Sequence, residues 1–378
     1  MLKIMSIAGA RPNFMKLASI ARAIRSHNEK GSTPAVEHII VHTGQHYDKK
    51  MSDSFFIDLN IPQPDINLEV GSGSHASQTA DIMQRFEPVL LEQLPDALLV
   101  VGDVNSTIAC TLVASKIEYP EGHSRRRPII VHVEAGLRSF DRGMPEEINR
   151  ILTDAISDIL FTTEEQCLTH LQNEGIAKEK VYFTGNVMID TLMQHVEQAA
   201  QSTIKEQLHI TGEYTLVTLH RPSNVDRQET LQPLVKCIEE IASTKHIVFP
   251  VHPRTFNKMK EFSLLDALEK NPNITLAGPL GYLDFLNLIK DASVVITDSG
   301  GIQEETTVLK VPCVTLRENT ERPVTVDIGT NYLIGVDPDK IKETVFNIFS
   351  GKGKKGAIPP QWDGKTGERI LKVILSVH

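Results

Sequence analysis

Residues 132 to 150, HVEAGLRSFDRGMPEEINR, set four carboxylates (Glu134, Asp141, Glu146, Glu147) and three arginines (Arg138, Arg142, Arg150) directly behind the apolar run PIIV. Asp103 stands in the same relation to another apolar run, in VVGDVNST. Carboxylates at the ends of buried strands can move protons, and guanidinium groups beside them can hold an anion. Pro145 suits the first turn of a helix, where Glu146 and Glu147 also gain from the helix dipole whether or not they do chemistry. On that helix Ile148, Ile151, Leu152, Ala155 and Ile156 are expected to form the buried face. Glu146 and Arg150, four apart, would share an edge. Asn105 or Ser106 would cap the helix after Asp103.

The second half repeats the arrangement with different chemistry. ITDSGGIQEE runs from a strand through Ser299, Gly300 and Gly301 to a helix expected to start near Gln303, which offers backbone N–H groups and a positive dipole end to a phosphate. Glu305 follows at ribose-binding reach, and RENTERP adds Arg317 and Arg322. His220 in TLHRPSN and His252 in PVHPRT end two more apolar runs, and two histidines beside arginines suit anion or proton handling. Phe285 in YLDFLNLI reads first as a core residue, though an aromatic there could also stack on a base. Neither G-x-G-x-x-G nor a phosphate loop ending in Gly-Lys-Ser/Thr occurs, which disfavours nicotinamide cofactors and ATP.

Such residues need strand ends to hold them, and the chain supplies these. Apolar runs alternate with amphipathic helical segments, the pattern of βαβ units and a parallel sheet. KIMSIAG, VEHIIVHTG, DALLVVGD, PIIVHVEAG, DILFTT and KVYFTGN form one set; YTLVTLHRP, HIVFPVHP, NITLAGP, SVVITDSGG and VPCVTLREN form a second. The length of 378 residues exceeds one ordinary hydrophobic core. The expected architecture is α/β, with two Rossmann-like doubly wound domains facing a cleft. The N-terminal domain would span residues 1–185 and carry the acids, and the C-terminal domain 186–360. Residues 361–378 would form a closing helix.

A balance of 39 Lys and Arg against 48 Asp and Glu, net −9, argues against broad nucleic-acid binding. Four scattered cysteines without a Cys-x-x-Cys pair suggest neither a zinc site nor a disulfide framework, and fit a reducing cytoplasm. No apolar run is long enough to cross a bilayer.

Taken in order, GARPNFMKLA, TGQHYD, HVEAGLRS, MPEEINR, TGNVMIDTL, PVHPRT, TDSGGIQEE and ENTERP resemble the motifs of the non-hydrolysing UDP-N-acetylglucosamine 2-epimerases over nearly the whole chain. The resemblance implies a glycosyltransferase-B-like fold whose last helix crosses back to the first domain, a homodimer, a UDP-sugar substrate, and no cofactor or metal. By motif, Asp103, Glu134, Glu146 and His220 match catalytic positions, with Arg150 beside them. Ser299, Gly300 and Glu305 would bind phosphate and ribose, Phe285 would face uracil, and Arg11, Lys16 and Arg322 would face the diphosphate or sugar.

That family's chemistry accounts for the acids. C2 of the sugar has no adjacent carbonyl, so its proton becomes removable only as the C1–O bond breaks and C1 turns oxocarbenium-like. Burial could raise a carboxyl there from about 4 towards 7. The chain departs from activator-responsive members at Asp48, where a second Gln stands, and in GSGSHAS, where an Arg stands. Gln45, Arg221 and His252 remain as a possible second nucleotide-sugar site, and kinetics without obligatory activation by substrate are expected. Alternatives that keep the fold are a hydrolysing epimerase, an epimerase of a diacetamido uronic acid, a glycosyltransferase and an inactive UDP-sugar binder.

Overall fold

The structure, a computed structural model, describes residues 1–44 and 61–377. The chain divides into two compact units, Met1–Thr191 with Pro360–His378, and Leu192–Pro359.

In the first unit the strands are β1 (Leu2–Ala8), β2 (Val36–His42), β3 (Ile66–Asn67), β4 (Ala97–Val101), β5 (Ile129–Ala135), β6 (Ile159–Thr162) and β7 (Val181–Phe183). They form a parallel sheet in the order β3-β2-β1-β4-β5-β6-β7. Both faces are covered, so β4 is buried along its whole length and reads as an unbroken apolar run. Met5, Ile7, Leu98 and Val100 pack under Ile82, Phe86 and Leu90 of the helix His75–Gln93. Trp362, which donates to the Thr163 carbonyl, docks the last segment here, and Asp190 accepts the N–H groups of Thr366 and Gly367 that open the helix Thr366–Ser376.

In the second unit β8 (Tyr214–Thr218), β9 (His246–Pro250), β10 (Ile274–Ala277), β11 (Val294–Thr297), β12 (Cys313–Thr315) and β13 (Asn331–Leu333) form a parallel sheet in the order β10-β9-β8-β11-β12-β13. In each sheet the strand order reverses once, at β1/β4 and at β8/β11. A doubly wound sheet opens a ligand crevice outside the carboxyl ends of its strands at such a switch point. Asp103 follows β4, and His220 and Ser299 follow β8 and β11.

Three local expectations are corrected. The helix after Asp103, Asn105–Lys116, is preceded by Val104 without a side-chain cap, because Asn105 is bonded to Gln78 and Ser106 to Thr43. The helix after Ser299 starts at Gly300 rather than near Gln303. On the helix Pro145–Ile156 the buried residues are Glu147, Arg150, Thr153 and Asp154, while Leu152 is 49% exposed and Ala155 is exposed. Polar partners outside the helix claim its inner face, which leaves Ile148, Ile151 and Ile156 half-buried at its margin and Leu152 and Ala155 exposed.

Candidate active site

In the first unit the carboxylates are held in different ways. A bulge between Val133 and Ala135 interrupts the β5–β6 register, and Glu134 within it has φ +68°. A left-handed non-glycine residue at a strand end is costly, and the bulge re-aims its side chain away from the face that strand alternation would assign. Glu134 is 2% exposed. Its Oε2 accepts a hydrogen bond from the Lys16 ammonium, while Oε1 is buried with no hydrogen-bond partner among the described residues. Gly102 closes in on that pair: a Cβ there would stand 3.0 Å from the Lys16 Nζ and 3.5 Å from the Glu134 Oε2, and its φ of +69° also favours glycine.

Asp103 is the more open acid, its side chain 29% exposed. Its Oδ2 accepts from the Arg150 Nη1 at 2.7 Å, and its backbone carbonyl accepts from Asn149 at 2.9 Å. Arg150 is buried, and its other arm donates to Glu147 at 2.7 Å, three residues back. The expected Glu146–Arg150 edge is therefore replaced by Glu147–Arg150. Glu147 faces inward because the Ser139 and Phe140 N–H groups need an acceptor there, at 3.0 and 2.9 Å. Burial pushes the Glu147 carboxyl up, but the Ser139 N–H and Arg150 outweigh it and hold it below its ordinary range. Glu146 is exposed and lines, with Asp103, Ala10, His75, Asn105 and Asn149, a cavity of about 320 Å³. Arg11 opens the helix Arg11–Glu29, and its side chain, like Gln45, lies outside the described part of the chain.

In the second unit a buried carboxylate organises the histidines. Asp298 accepts the backbone N–H groups of His220 and Arg221, and its Oδ1 lies 2.8 Å from the His220 Nδ1. Burial raises that carboxyl, and the His220 ring and these N–H groups more than reverse the effect. His220 and His252 stand with ring centroids 5.7 Å apart. Burial, and then the charge of His220, push the His252 imidazole down from 6.5. Arg221 donates through Nε to the Asp298 carbonyl at 2.9 Å.

Ser299 precedes the helix Gly300–Leu309 without capping it by its side chain. A Cβ on Gly300 would stand 3.1 Å from the Glu321 Oε1 and 3.2 Å from the Arg322 Nη1, so the guanidinium sits against the helix N-terminus. Arg322 is fixed by Glu304 at 2.6 Å and Glu321 at 3.0 Å, and Arg317 pairs with Glu321 at 2.7 Å. Burial pushes the Glu305 carboxyl up to about 7; the nearby Tyr282 hydroxyl opposes the shift and the Glu304 charge adds to it. Phe285 is half-buried and packs against the cluster that includes Tyr214, Leu288 and Ile289.

Sequence reasoning missed His75, His132, Asp154, Asn149, Asp298 and Glu321. Two of them left a signal: His132 lies two residues before Glu134, hence on the same side of a regular strand, and Asp298 directly precedes the Ser-Gly-Gly turn. Among the described residues no group of three or more His, Cys, Asp or Glu is placed to hold a metal ion, and no helix is long and apolar enough to cross a membrane.

The profile of the UDP-N-acetylglucosamine 2-epimerase family matches residues 28–375. The UDP-N-acetylglucosamine 2-epimerase of Methanocaldococcus jannaschii is 43% identical over 379 residues, covering 99% of each chain. The UDP-2,3-diacetamido-2,3-dideoxy-D-glucuronate 2-epimerase of Pseudomonas aeruginosa is 39% identical over 346 residues, 91% of each chain. The crystal structure of the M. jannaschii enzyme in complex with UDP-GlcNAc and UDP superposes with a TM-score of 0.86 at 42% identity, covering 99% of this chain and 100% of that one. With whole-length matches and two parallel doubly wound sheets of the glycosyltransferase-B-like kind, the chain belongs to the UDP-N-acetylglucosamine 2-epimerase family.

Proposed function

We propose that the protein interconverts UDP-N-acetylglucosamine and UDP-N-acetylmannosamine by eliminating UDP to a glycal and adding it back. The observation that carries this reading is the contrast between two carboxylates at one sheet edge. Glu134 is buried on Lys16, with one oxygen unpartnered among the described residues; Asp103 is half-open on Arg150.

The C1–O bond breaks with its electron pair leaving on UDP, a carboxylate takes the C2 proton, and a C1–C2 double bond forms. Return of a proton to the opposite face of C2 and attack of the diphosphate oxygen on C1 complete the epimerisation. Asp103, Glu134 and Glu146 share the proton work, with Arg150 steadying Asp103. His220, oriented by Asp298, supports the leaving diphosphate with Lys16 and Arg11. Ser299, Gly300 and Arg322 bind phosphate through the helix N-terminus and the guanidinium, where developing charge is best met by fixed dipoles. Glu305 takes the ribose hydroxyls and Phe285 the uracil. Arg221, His252 and Gln45 are the residues left for a second nucleotide-sugar site.

The test is exchange in D2O with chelator present. Deuterium is expected at C2 of recovered substrate and product, with UDP-sugar rather than free sugar as the product. Release of UDP and free N-acetylmannosamine would instead mark a hydrolysing enzyme. Absence of exchange from any UDP-sugar would remove the elimination mechanism and leave a transferase or a binder. The 39% identity to a diacetamido uronate epimerase favours a second substrate reading, so that UDP-sugar belongs in the same assay.

The exposed Leu152 and Ala155 of the helix Pro145–Ile156, flanked by half-buried Ile148, Ile151 and Ile156, support the further proposal that two copies pair through this face, since exposed apolar surface next to a polar site commonly marks an interface. Sedimentation is expected to give a dimer that Leu152→Asp converts to monomer. A monomeric wild type at micromolar concentration would refute the pairing.

A further inference from the structure

The bulge that presents Glu134 is gripped from behind by one buried carboxylate. On the helix Pro145–Ile156, Asp154 receives the His132 Nδ1 on its Oδ1 at 2.6 Å and the Gly136 backbone N–H on its Oδ2 at 3.1 Å. These are the residues two before and two after Glu134, so a single group pins both sides of the left-handed residue between them. His132 reaches further. Its Nε2 bonds the carbonyl of Gly102 at 2.9 Å, the residue directly before Asp103. A carboxylate and a carbonyl are both acceptors, so each of these bonds draws on a ring N–H.

Arg138 completes the cluster, donating to Asp154 at 2.7 Å and to Glu174 at 2.6 Å. His132 and Asp154 are wholly buried and Arg138 nearly so. Burial pushes the Asp154 carboxyl up, yet His132 and Arg138 outweigh it and hold it below the usual carboxylate range. Ionic groups buried in this way are a poor source of stability, since apolar residues of similar volume often do as well; fixing geometry is the better account of them. None of these groups has a part in the proton transfers proposed above.

We propose that Asp154, acting through His132 and the Gly136 N–H, is a positioning residue that holds Glu134 in its left-handed conformation and ties it to the strand end carrying Asp103. Its effect on catalysis rests on the reading that these two acids do the proton work; its effect on the backbone does not. An ordinary core ion pair would behave differently: its loss would lower thermal stability and leave the folded fraction with native kcat.

Asp154→Asn keeps the shape and replaces one acceptor with a donor. The expected result is a crystal structure in which residue 134 leaves the left-handed region. With it comes a fall in kcat per folded molecule of about 10²-fold, the scale of a misplacement of about 1 Å, with KM and UDP affinity little changed. Should that variant not fold, the same two readouts are taken from His132→Asn, which keeps a donor for Asp154 and drops the bond to Gly102. A native φ at residue 134 together with native kcat overturns the proposal in either variant. Wild-type protein that fails to exchange C2–H refutes the proposed reaction instead, and the φ of residue 134 then decides the positioning claim alone.

Discussion

Glu134→Gln is expected to lower turnover by about 10²-fold or more while leaving UDP affinity within about twofold of wild type. The amide has the size of the carboxylate and can still accept a hydrogen bond from Lys16, so packing around the bulge is preserved and only the ability to take a proton is lost. Asp103→Asn is expected to behave alike, because Arg150 keeps Glu147 as a partner and is not left as an isolated buried charge. Ser299, Gly300, Glu305 and Arg322, proposed to hold the phosphate and ribose of UDP, belong to the other unit, and Lys16, proposed to meet the diphosphate from this one, keeps an acceptor in the amide, so calorimetry with UDP reads binding separately from rate. Turnover within tenfold of wild type in Glu134→Gln would take the proton work away from this residue. A parallel loss of UDP affinity would make it a binding group.

The contrast between legible and illegible parts of the chain follows from what a sequence pattern encodes. Strands such as ALLVV and VVIT are buried on both faces, so continuous apolar character marks them directly. The edge strands Ile66–Asn67 and Asn331–Leu333 escaped because two or three residues show no period. Asp103, Glu134, His220 and Ser299 stand out because each follows an apolar run, and strand ends are where this topology gathers ligands.

The helix Pro145–Ile156 misled for the opposite reason. Its apolar stripe is strongly one-sided, and one-sidedness ordinarily points to the core. What draws its polar residues inward are partners outside the helix: Ser139 and Phe140 for Glu147, Asp103 for Arg150, His132 and Gly136 for Asp154. None lies on the helix itself, so its periodicity carries no trace of them. The same holds for Asn105, a sound cap by type, whose side chain Gln78 and His75 had already engaged. Side-chain networks between elements are a property of the assembled fold, and the pattern of one element records only what it avoids, which is water.

Glu305→Gln is expected to weaken UDP binding by about 10-fold or more at pH 8 and to flatten its pH dependence. In the free protein burial pushes the Glu305 carboxyl up to about 7. Ribose hydroxyls donate to a carboxylate, so bound nucleotide favours the ionised form, and wild-type binding should release a proton and tighten as pH rises through about 7. The last ionisation of UDP contributes equally to both proteins, so the difference between their profiles reports the side chain.

Linkage gives a second sign to check. The folded protein retains this proton above 4.5, where the unfolded chain has already lost it, so between 4.5 and about 7 the folded state binds more protons. Its stability therefore falls as pH rises across that window, and the deficit persists above it. Gln carries no such deficit, and Glu305→Gln without ligand should melt a few degrees above wild type at pH 8 and lose that advantage towards pH 5. A variant that binds UDP with native affinity and native pH dependence would place the ribose elsewhere. One that binds weakly but melts below wild type at pH 8 would show the buried carboxylate to be a support of the fold rather than a strain held for the nucleotide.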